Sequence, residues 1–306
     1  MTKGAVLLLP AGWYVVAAAN ELKGQKPLAI KRFAQDIVLW REKSGKAVAM
    51  IDRCPHRSAQ LSCGAVRDNV IECGFHGFQF DAGGQCLLVP ETQKAAPNLK
   101  VETLPVAERH GFIWLWHGSE RPTGEIPWFN ELSDKSWSYS QQATEWPIHV
   151  TRCIENQLDY AHLPFVHRNT IGQGMDVTKP VKFETCEEYI RFYPSEKEPQ
   201  KSFIEFRFPN IWMLSIVPGK FAQMMAFVPV SDNITRLYLR GYQSFATWPV
   251  LSTVLNTIGA WQNRYILNQD KRVVLTQYPN SSIDATEEFL YQSDTGIKFF
   301  RERWLR

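Results

Sequence analysis

Cysteine is scarce in this chain, with six in 306 residues, too few for the disulfide framework of a small secreted domain. Charge of one sign is lacking as well. The 34 basic and 31 acidic residues leave a net charge of +3, and no Lys/Arg block is long enough to track a phosphate backbone. That balance argues against nucleic acid or a membrane surface as partner. Nor does any segment reach the about 18 consecutive apolar residues needed to span a bilayer. The N-terminal MTKGAVLLLPAGWYVVAAAN comes closest, because Lys3 followed by apolar residues and Ala-Ala-Ala imitates a secretion signal. Pro10 and Gly12 interrupt it, and Trp13-Tyr14-Val15-Val16 reads as β-strand. The expectation is therefore a soluble, cytoplasmic protein. Repeats and low-complexity tracts are missing too. What is present, 44% hydrophobic, 13% aromatic and 21% charged residues, describes an ordered globular chain long enough for about two domains.

The first third reads as β-structure. Short runs at 13–18, 36–41, 48–51, 70–73 and 111–116 are separated by turn signals such as Lys43-Ser44-Gly45 and Ala82-Gly83-Gly84, which suggests a small sandwich or barrel. The polar passage Gly118–Pro127 reads as a junction, giving expected domains of 1–120 and 121–306. Beyond it, 151–160 has helical spacing with a stop near Pro164, six strand-like runs follow between 181 and 242, and 251–276 reads as a long helix. The second domain is thus expected to be α+β, a curved antiparallel sheet flanked by helices.

Half of the cysteines and two of the seven histidines fall in RCPHRSAQLSCGAVRDNVIECGFHGFQFD, Arg53 to Asp81. Cys54 and His56 form C-x-H, and Cys73 and His76 form C-x-x-H. A structural zinc finger keeps its cysteines together and its histidines together; here each pair mixes the two. Mixed pairs suit a Rieske [2Fe–2S] centre, in which two thiolates hold one iron and two imidazoles the other. The 16 residues between His56 and Cys73 allow a β-excursion that returns the second loop to the first, and Gly74 and Gly77 suit close backbone approach there. Cys63 and Cys86 stand outside the pattern and read as small buried apolar residues.

A second set lies in IENQLDYAHLPFVHRNT, where Asp159, His162 and His167 stand as D-x2-H-x4-H. On a straight helix His162 and His167 would differ by about 140° and about 7.5 Å, so a break at Pro164 is needed to converge them. Two histidines plus one carboxylate would make the facial triad of mononuclear non-haem Fe(II). Either Asp159, three residues from His162, or the distant Asp270 in LNQDKRVVLTQ could supply the acid.

CPH-x16-CGFH-GFQFD is similar to the Rieske motif of ring-hydroxylating oxygenases, and with the second set the resemblance extends over nearly the whole chain. Ala59 and Phe75 stand where respiratory Rieske proteins carry an extra cysteine pair, so the oxygenase or ferredoxin type is implied. The resemblance implies a Rieske domain followed by a helix-grip (START-like) catalytic domain, in the phthalate, vanillate and dicamba oxygenase-like group. It implies one [2Fe–2S] cluster on Cys54, His56, Cys73 and His76, and one mononuclear Fe(II) on His162, His167 and Asp270. Asp270 and Gln277 match the family's E-D-x4-E-x-Q segment, whereas Gln269 and Leu275 depart from it. It implies further that Asp159 bridges His76 of a neighbouring subunit to His162 in a head-to-tail homotrimer, with Asn156 near the iron.

The chain has no dinucleotide-binding fingerprint and no plant-type ferredoxin spacing. Electrons from NAD(P)H are therefore expected through a separate reductase, directly or by way of a ferredoxin. O2 and a small aromatic or heterocyclic molecule are the expected substrates. Trp212, Met213, Met224 and Met225 are candidate pocket walls, with a plain core role as the simpler reading. His110, His117 and His149 have no partner at ligand spacing. The rival reading is a Rieske electron carrier or redox sensor whose second domain binds a ligand without catalysis.

Overall fold

A computed structural model describes residues 8–133, 137–173, 175–179, 181–193, 202–246 and 248–306. The chain folds as two compact units, one holding Ala11–Ile126 and the other Leu8–Pro10 with Pro127–Arg306. The division between Ile126 and Pro127 falls within the passage Gly118–Pro127 read as the junction, a little beyond residue 120. Trp116 Nε1 donates to Glu120 O at 2.9 Å, which folds the polar passage back against its own strand.

The first unit is all β among the described residues apart from two 3-10 turns. Its buried runs, such as Ile37–Trp40 and Phe112–Leu115, are continuous apolar stretches of a sheet covered on both faces. Three antiparallel sheets of three, four and five strands form. No closed barrel results, since the five-stranded meander (Ala65–Arg67, Val70–Glu72, Gln79–Asp81, Gln85–Val89, Lys94–Lys100) uses short strands and shifts register around Cys86. Its core of Trp40, Met50, Ile71, Phe80 and Cys86 also receives Cys54 and Cys73.

The second unit is a seven-stranded antiparallel sheet with the order Ser138–Trp146, Ile234–Gln243, Phe221–Ser231, Ile211–Val217, Phe203–Arg207, Tyr189–Tyr193, Lys182–Thr185. Helices α1 (Val150–Leu158), α2 (Leu163–Val166), α3 (Pro249–Val274) and α4 (Thr295–Trp304) accompany it. One sheet face, with Trp212, Met225, Leu237 and Leu239, shares a core with Ile154 and Leu158 of α1, Leu267 of α3 and Phe300 of α4. Cross-strand pairing sets Met213 opposite Met224 and Trp212 opposite Met225. Alternation therefore sends Met213 and Met224 to the other face, away from α1. Among the described residues no helix is long and apolar enough to cross a membrane.

Helix α1 starts at His149, whose Nδ1 accepts from Thr151 N at 3.3 Å and lies 2.8 Å from Thr151 Oγ1. Burial drives the His149 pKa down to about 4, against smaller upward pulls from Asp232 and Asp284. Because the folded value lies below the unfolded one, the unfolded chain takes the proton first. Stability is therefore full above about pH 6.5 and is lost as pH falls toward 4, by about 2 kcal/mol at pH 5. His149→Asn, which keeps an N-cap acceptor, is expected to remove this part of the acid sensitivity in denaturant titrations at pH 7.5 and 5.

Candidate metal centres

The two loops that carry the mixed pairs are built on one backbone plan. Cys54 N donates to Ala59 O and Ser58 N to Cys54 O, at 2.8 and 2.9 Å. In the second loop Cys73 N donates to Phe78 O and Gly77 N to Cys73 O, again at 2.8 and 2.9 Å. Ser58 and Gly77, both four residues after the cysteine, turn the chain through left-handed conformations at φ 60° and 72°. Glycine adopts that region freely, whereas Ser58 accepts strain to do so.

The paired turns bury both thiols and leave the imidazoles toward solvent. Cys54 and Cys73 are 1% exposed and not cross-linked, His76 is half-buried and His56 exposed. The two rings stand 4.7 Å apart at 72°, and His56 stacks on Phe78 at 4.5 Å. Burial first, and the neighbouring Cys73 second, push the Cys54 thiol up to about 11, while the N–H groups of His56 and Arg57 pull it back. Two facing buried sulfurs cannot both ionise without a cation between them. Thiols inside, imidazoles outside and N–H groups aimed at sulfur form a donor set that fits a mixed-ligand diiron cluster.

The glycines act differently from the sequence expectation. A Cβ on Gly74 would lie 2.7 Å from Cys63 O, and one on Gly64 would lie 1.9 Å from Glu72 O. Close approach is thus between the two backbones that brace the ligand loops. Cys63, expected to be buried, is exposed beside this contact, and Cys86 is buried as expected.

In the second unit α1 ends at Asp159, whose φ and ψ of −87° and 113° leave the helical region. Asp159 Oδ1 accepts from Ala161 N at 2.7 Å, and α2 follows with His162 and His167 as its two caps. The break expected at Pro164 therefore falls at Asp159–Tyr160. Pro164 instead occupies the first turn of α2, where its missing N–H leaves no bond unmade. Ring centroids of His162 and His167 stand 5.3 Å apart. Gly172 closes the segment, because its N donates to His167 O at 3.1 Å and a Cβ there would lie 1.9 Å from Leu163 O.

Asp270, on the buried face of α3, meets both rings. Its Oδ1 is 2.8 Å from His167 Nε2 and 3.5 Å from His162 Nε2, and donor atoms of His162, His167 and Asp270 all lie within 4.8 Å of one another. Ligands held about 2.1 Å from one metal at about right angles stand about 3 Å apart, so these donors fit one ion. Burial alone would lower the His162 pKa and raise that of Asp270, but their mutual attraction wins. The nearby carboxylates of Asp159 and Asp270 lift His162 to about 9, and the Asp270 carboxyl is held below its usual range by His162 and His167. The charge that His162 gains beside Asp270 offsets the acid much as a cation would.

The geometry separates the two aspartates. Asp159 Oδ2 lies 3.5 Å from the rear nitrogen of His162, Nδ1, which makes no hydrogen bond. Asp270 faces the front nitrogens. Asn156, half-buried on α1, has a buried Nδ2 without an acceptor among the described residues. Gln269 was legible only as a departure from the family's pattern; here its Oε1 lies 2.9 Å from His167 Nδ1. An amide oxygen can only accept, so it takes the Nδ1 proton and keeps Nε2 turned inward. Trp212 and Met225 lie on the sheet face next to α1, and Trp212 Nε1 donates to Gln157 O at 3.0 Å. Gly172→Ala is expected to open the loop and lower occupancy at this centre while leaving the [2Fe–2S] absorbance intact, as read by iron analysis and visible spectroscopy.

Comparison with known proteins places this geometry. Residues 12–105 match the Rieske [2Fe-2S] domain, and residues 146–305 match the vanillate O-demethylase oxygenase C-terminal domain. Chlorophyllide a oxygenase of Oryza sativa subsp. japonica is 30% identical over 282 residues, 87% of this chain and 51% of that protein. The chain spans about half the length of the first curated relatives it matches. Among solved structures, Pseudomonas putida CBB5 NdmA with caffeine is 26% identical, with a TM-score of 0.82 over 95% of this chain and 88% of that one. Dicamba monooxygenase bound to dicamba, at 21% identity, shares the fold with a TM-score of 0.82 over 98% of each chain.

Proposed function

The chain belongs to the Rieske oxygenases with a vanillate O-demethylase-type C-terminal domain, and from that premise we propose that it is the terminal component of such a system. In this reading it hydroxylates or oxidatively demethylates a small aromatic or heterocyclic substrate with O2. Electrons come from NAD(P)H through a separate reductase, directly or by way of a ferredoxin, in the cytoplasm. The observation that carries the reading is the convergence of His162, His167 and Asp270 within 4.8 Å, on a chain that also holds a paired Cys/His set. A ligand-binding domain attached to an electron carrier has no use for the first of these. The relative solved with caffeine supports a flat heterocycle as the substrate class.

Cys54 and Cys73 would hold one iron of the cluster and His56 and His76 the other; His162, His167 and Asp270 would hold the single iron. Loaded, the cluster supplies single electrons and the ferrous ion supplies the chemistry of O2. The protein's own part is positional. Gln269 fixes the ring of His167, and the buried Nδ2 of Asn156 offers a donor to an acceptor that no described residue provides. Asp159 stands behind His162 with part of its carboxylate accessible, which suits a bridge to His76 of a neighbouring subunit in a homotrimer.

Substrate-dependent O2 uptake by the reconstituted chain with a surrogate reductase, across aromatic acids, phenol ethers and heterocycles, tests the reading. Uptake with none of them would favour the electron carrier. Asp159→Asn is expected to keep both metal centres and the cluster's reduction by the reductase, yet to slow reoxidation of the cluster by O2 and substrate by about a hundredfold or more. Stopped-flow absorbance reads that step.

A further inference from the structure

Helix α3 is amphipathic in the wrong sense along its first half. The face it turns to the sheet is polar. Ser252 Oγ meets Ser138 Oγ at 3.0 Å and accepts from Gln243 at 3.2 Å, Asn256 donates to Ser252 at 3.4 Å, and Asn263 Oδ1 accepts from Gln223 Nε2 at 2.7 Å. The face it turns outward is apolar. Trp248, Leu251, Val254, Ile258, Trp261 and Tyr265 are all exposed, the two tryptophans by 78% and 74%. Single exposed apolar residues are ordinary, but a continuous stripe on one helix marks a covered surface.

The spacing and charge of the stripe identify what covers it. Leu251, Val254, Ile258, Trp261 and Tyr265 follow steps of three, four, three and four residues, the a/d seam by which one helix lies along another. A bilayer surface would be met through several Lys and Arg flanking the apolar face, yet from Trp248 to Tyr265 the one charged residue is Arg264, which is not a seam position. A seam without charge faces its own copy without repulsion. Aromatic side chains bury about 150–250 Å² each, so a stripe with three of them offers on the order of 600–800 Å². Two such stripes face to face bury on the order of 1,200–1,600 Å², the size of a specific interface. Ile258 is the middle of the seam, so in an antiparallel pair it lies on the twofold axis.

We propose that two copies of this chain associate through an antiparallel α3–α3 pair centred on Ile258. The contact is isologous, so it doubles whatever ring the chain forms through other surfaces. Sedimentation of the full holoprotein at micromolar concentration tests it. The wild type is expected to show twice the mass of Trp261→Glu and Ile258→Glu, with the cluster's visible spectrum and the thermal midpoint unchanged. Ile258→Cys under mild oxidation is expected to give a covalent dimer within minutes, whereas Thr253→Cys, about 140° around the helix, and the wild type do not. Equal masses for wild type and both variants, with no dimer from Ile258→Cys, would overturn the pairing. So would equal masses accompanied by wild-type flotation with phosphatidylcholine–phosphatidylglycerol vesicles, which would assign the stripe to a lipid surface instead.

Discussion

Asp270→Ala is expected to abolish substrate-dependent O2 uptake, by about a thousandfold or more, while leaving the chain folded and coloured. Iron per chain should fall from about three to about two, the latter held by the cluster. The expectation rests on geometry: one carboxylate oxygen of Asp270, a residue 3% exposed on α3, stands 2.8 and 3.5 Å from two imidazole nitrogens on a different segment. Without it the rings present two neutral donors and no charge to offset a dication. Folding should suffer less than the removal of a buried ion normally implies, because His162 can release its proton once the acid is gone. Gln269→Leu should act in the same direction but more weakly. The ring of His167 would stay and lose only the acceptor that orients it, at a cost of about 10–100-fold in iron affinity. An Asp270→Ala protein that retains three irons and full turnover would transfer the third-ligand role elsewhere, Asp159 being the obvious heir.

Local features of this chain were legible where ligand chemistry is local. C-x-H and C-x-x-H declare themselves because each loop's thiol and imidazole lie within four residues, and the fold only brings the two turns together. His162 and His167 were likewise readable, although the reason they converge was not: the chain breaks at Asp159, an Asx turn onto Ala161, rather than at Pro164. Long-range pairing was invisible. Spacing alone left Asp159 and Asp270 both open, and only the resemblance named Asp270; which side of His162 each occupies follows from α3 packing more than 100 residues away. The same holds for the ionic frame of α1. Arg152 reaches Glu288 at 2.8 Å, and Arg301 reaches Glu155 at 2.6 Å and Glu288 at 2.6 Å, partners that no local pattern connects. The first strand of the large sheet, Ser138–Trp146, was missed for a related reason. Its run SYSQQATEW has one β-branched residue, Thr144, among Ser, Gln, Ala and Glu, and its pairing with Ile234–Gln243 is supplied by tertiary contact.

Gly64→Ala should have the second largest effect, and on the other centre. Gly64 adopts φ −94°, which any residue tolerates, so the objection to a side chain is contact rather than backbone conformation. The added methyl would sit 1.9 Å from Glu72 O and 2.9 Å from Gly74 N, against an ordinary separation of at least 3.4 Å. Neither atom belongs to a flexible side chain. Glu72 pairs with Ala65 in the adjoining strand and Gly74 directly follows Cys73, so relief can come only by prising the second loop from the first. Two thiols proposed to share one iron cannot follow such a displacement, since the dimensions of such a cluster are fixed. The expected protein is colourless and carries about one iron per chain, on His162, His167 and Asp270 in the other unit, where no backbone has moved. Gly259→Ala on α3, where a Cβ meets nothing within 4 Å, serves as the contrasting substitution and should stabilise the helix by about 1 kcal/mol. Should Gly64→Ala keep full visible absorbance, the loops would be held by the metal rather than by the backbone contact. Cluster assembly would then precede the closing of these two turns instead of following from it.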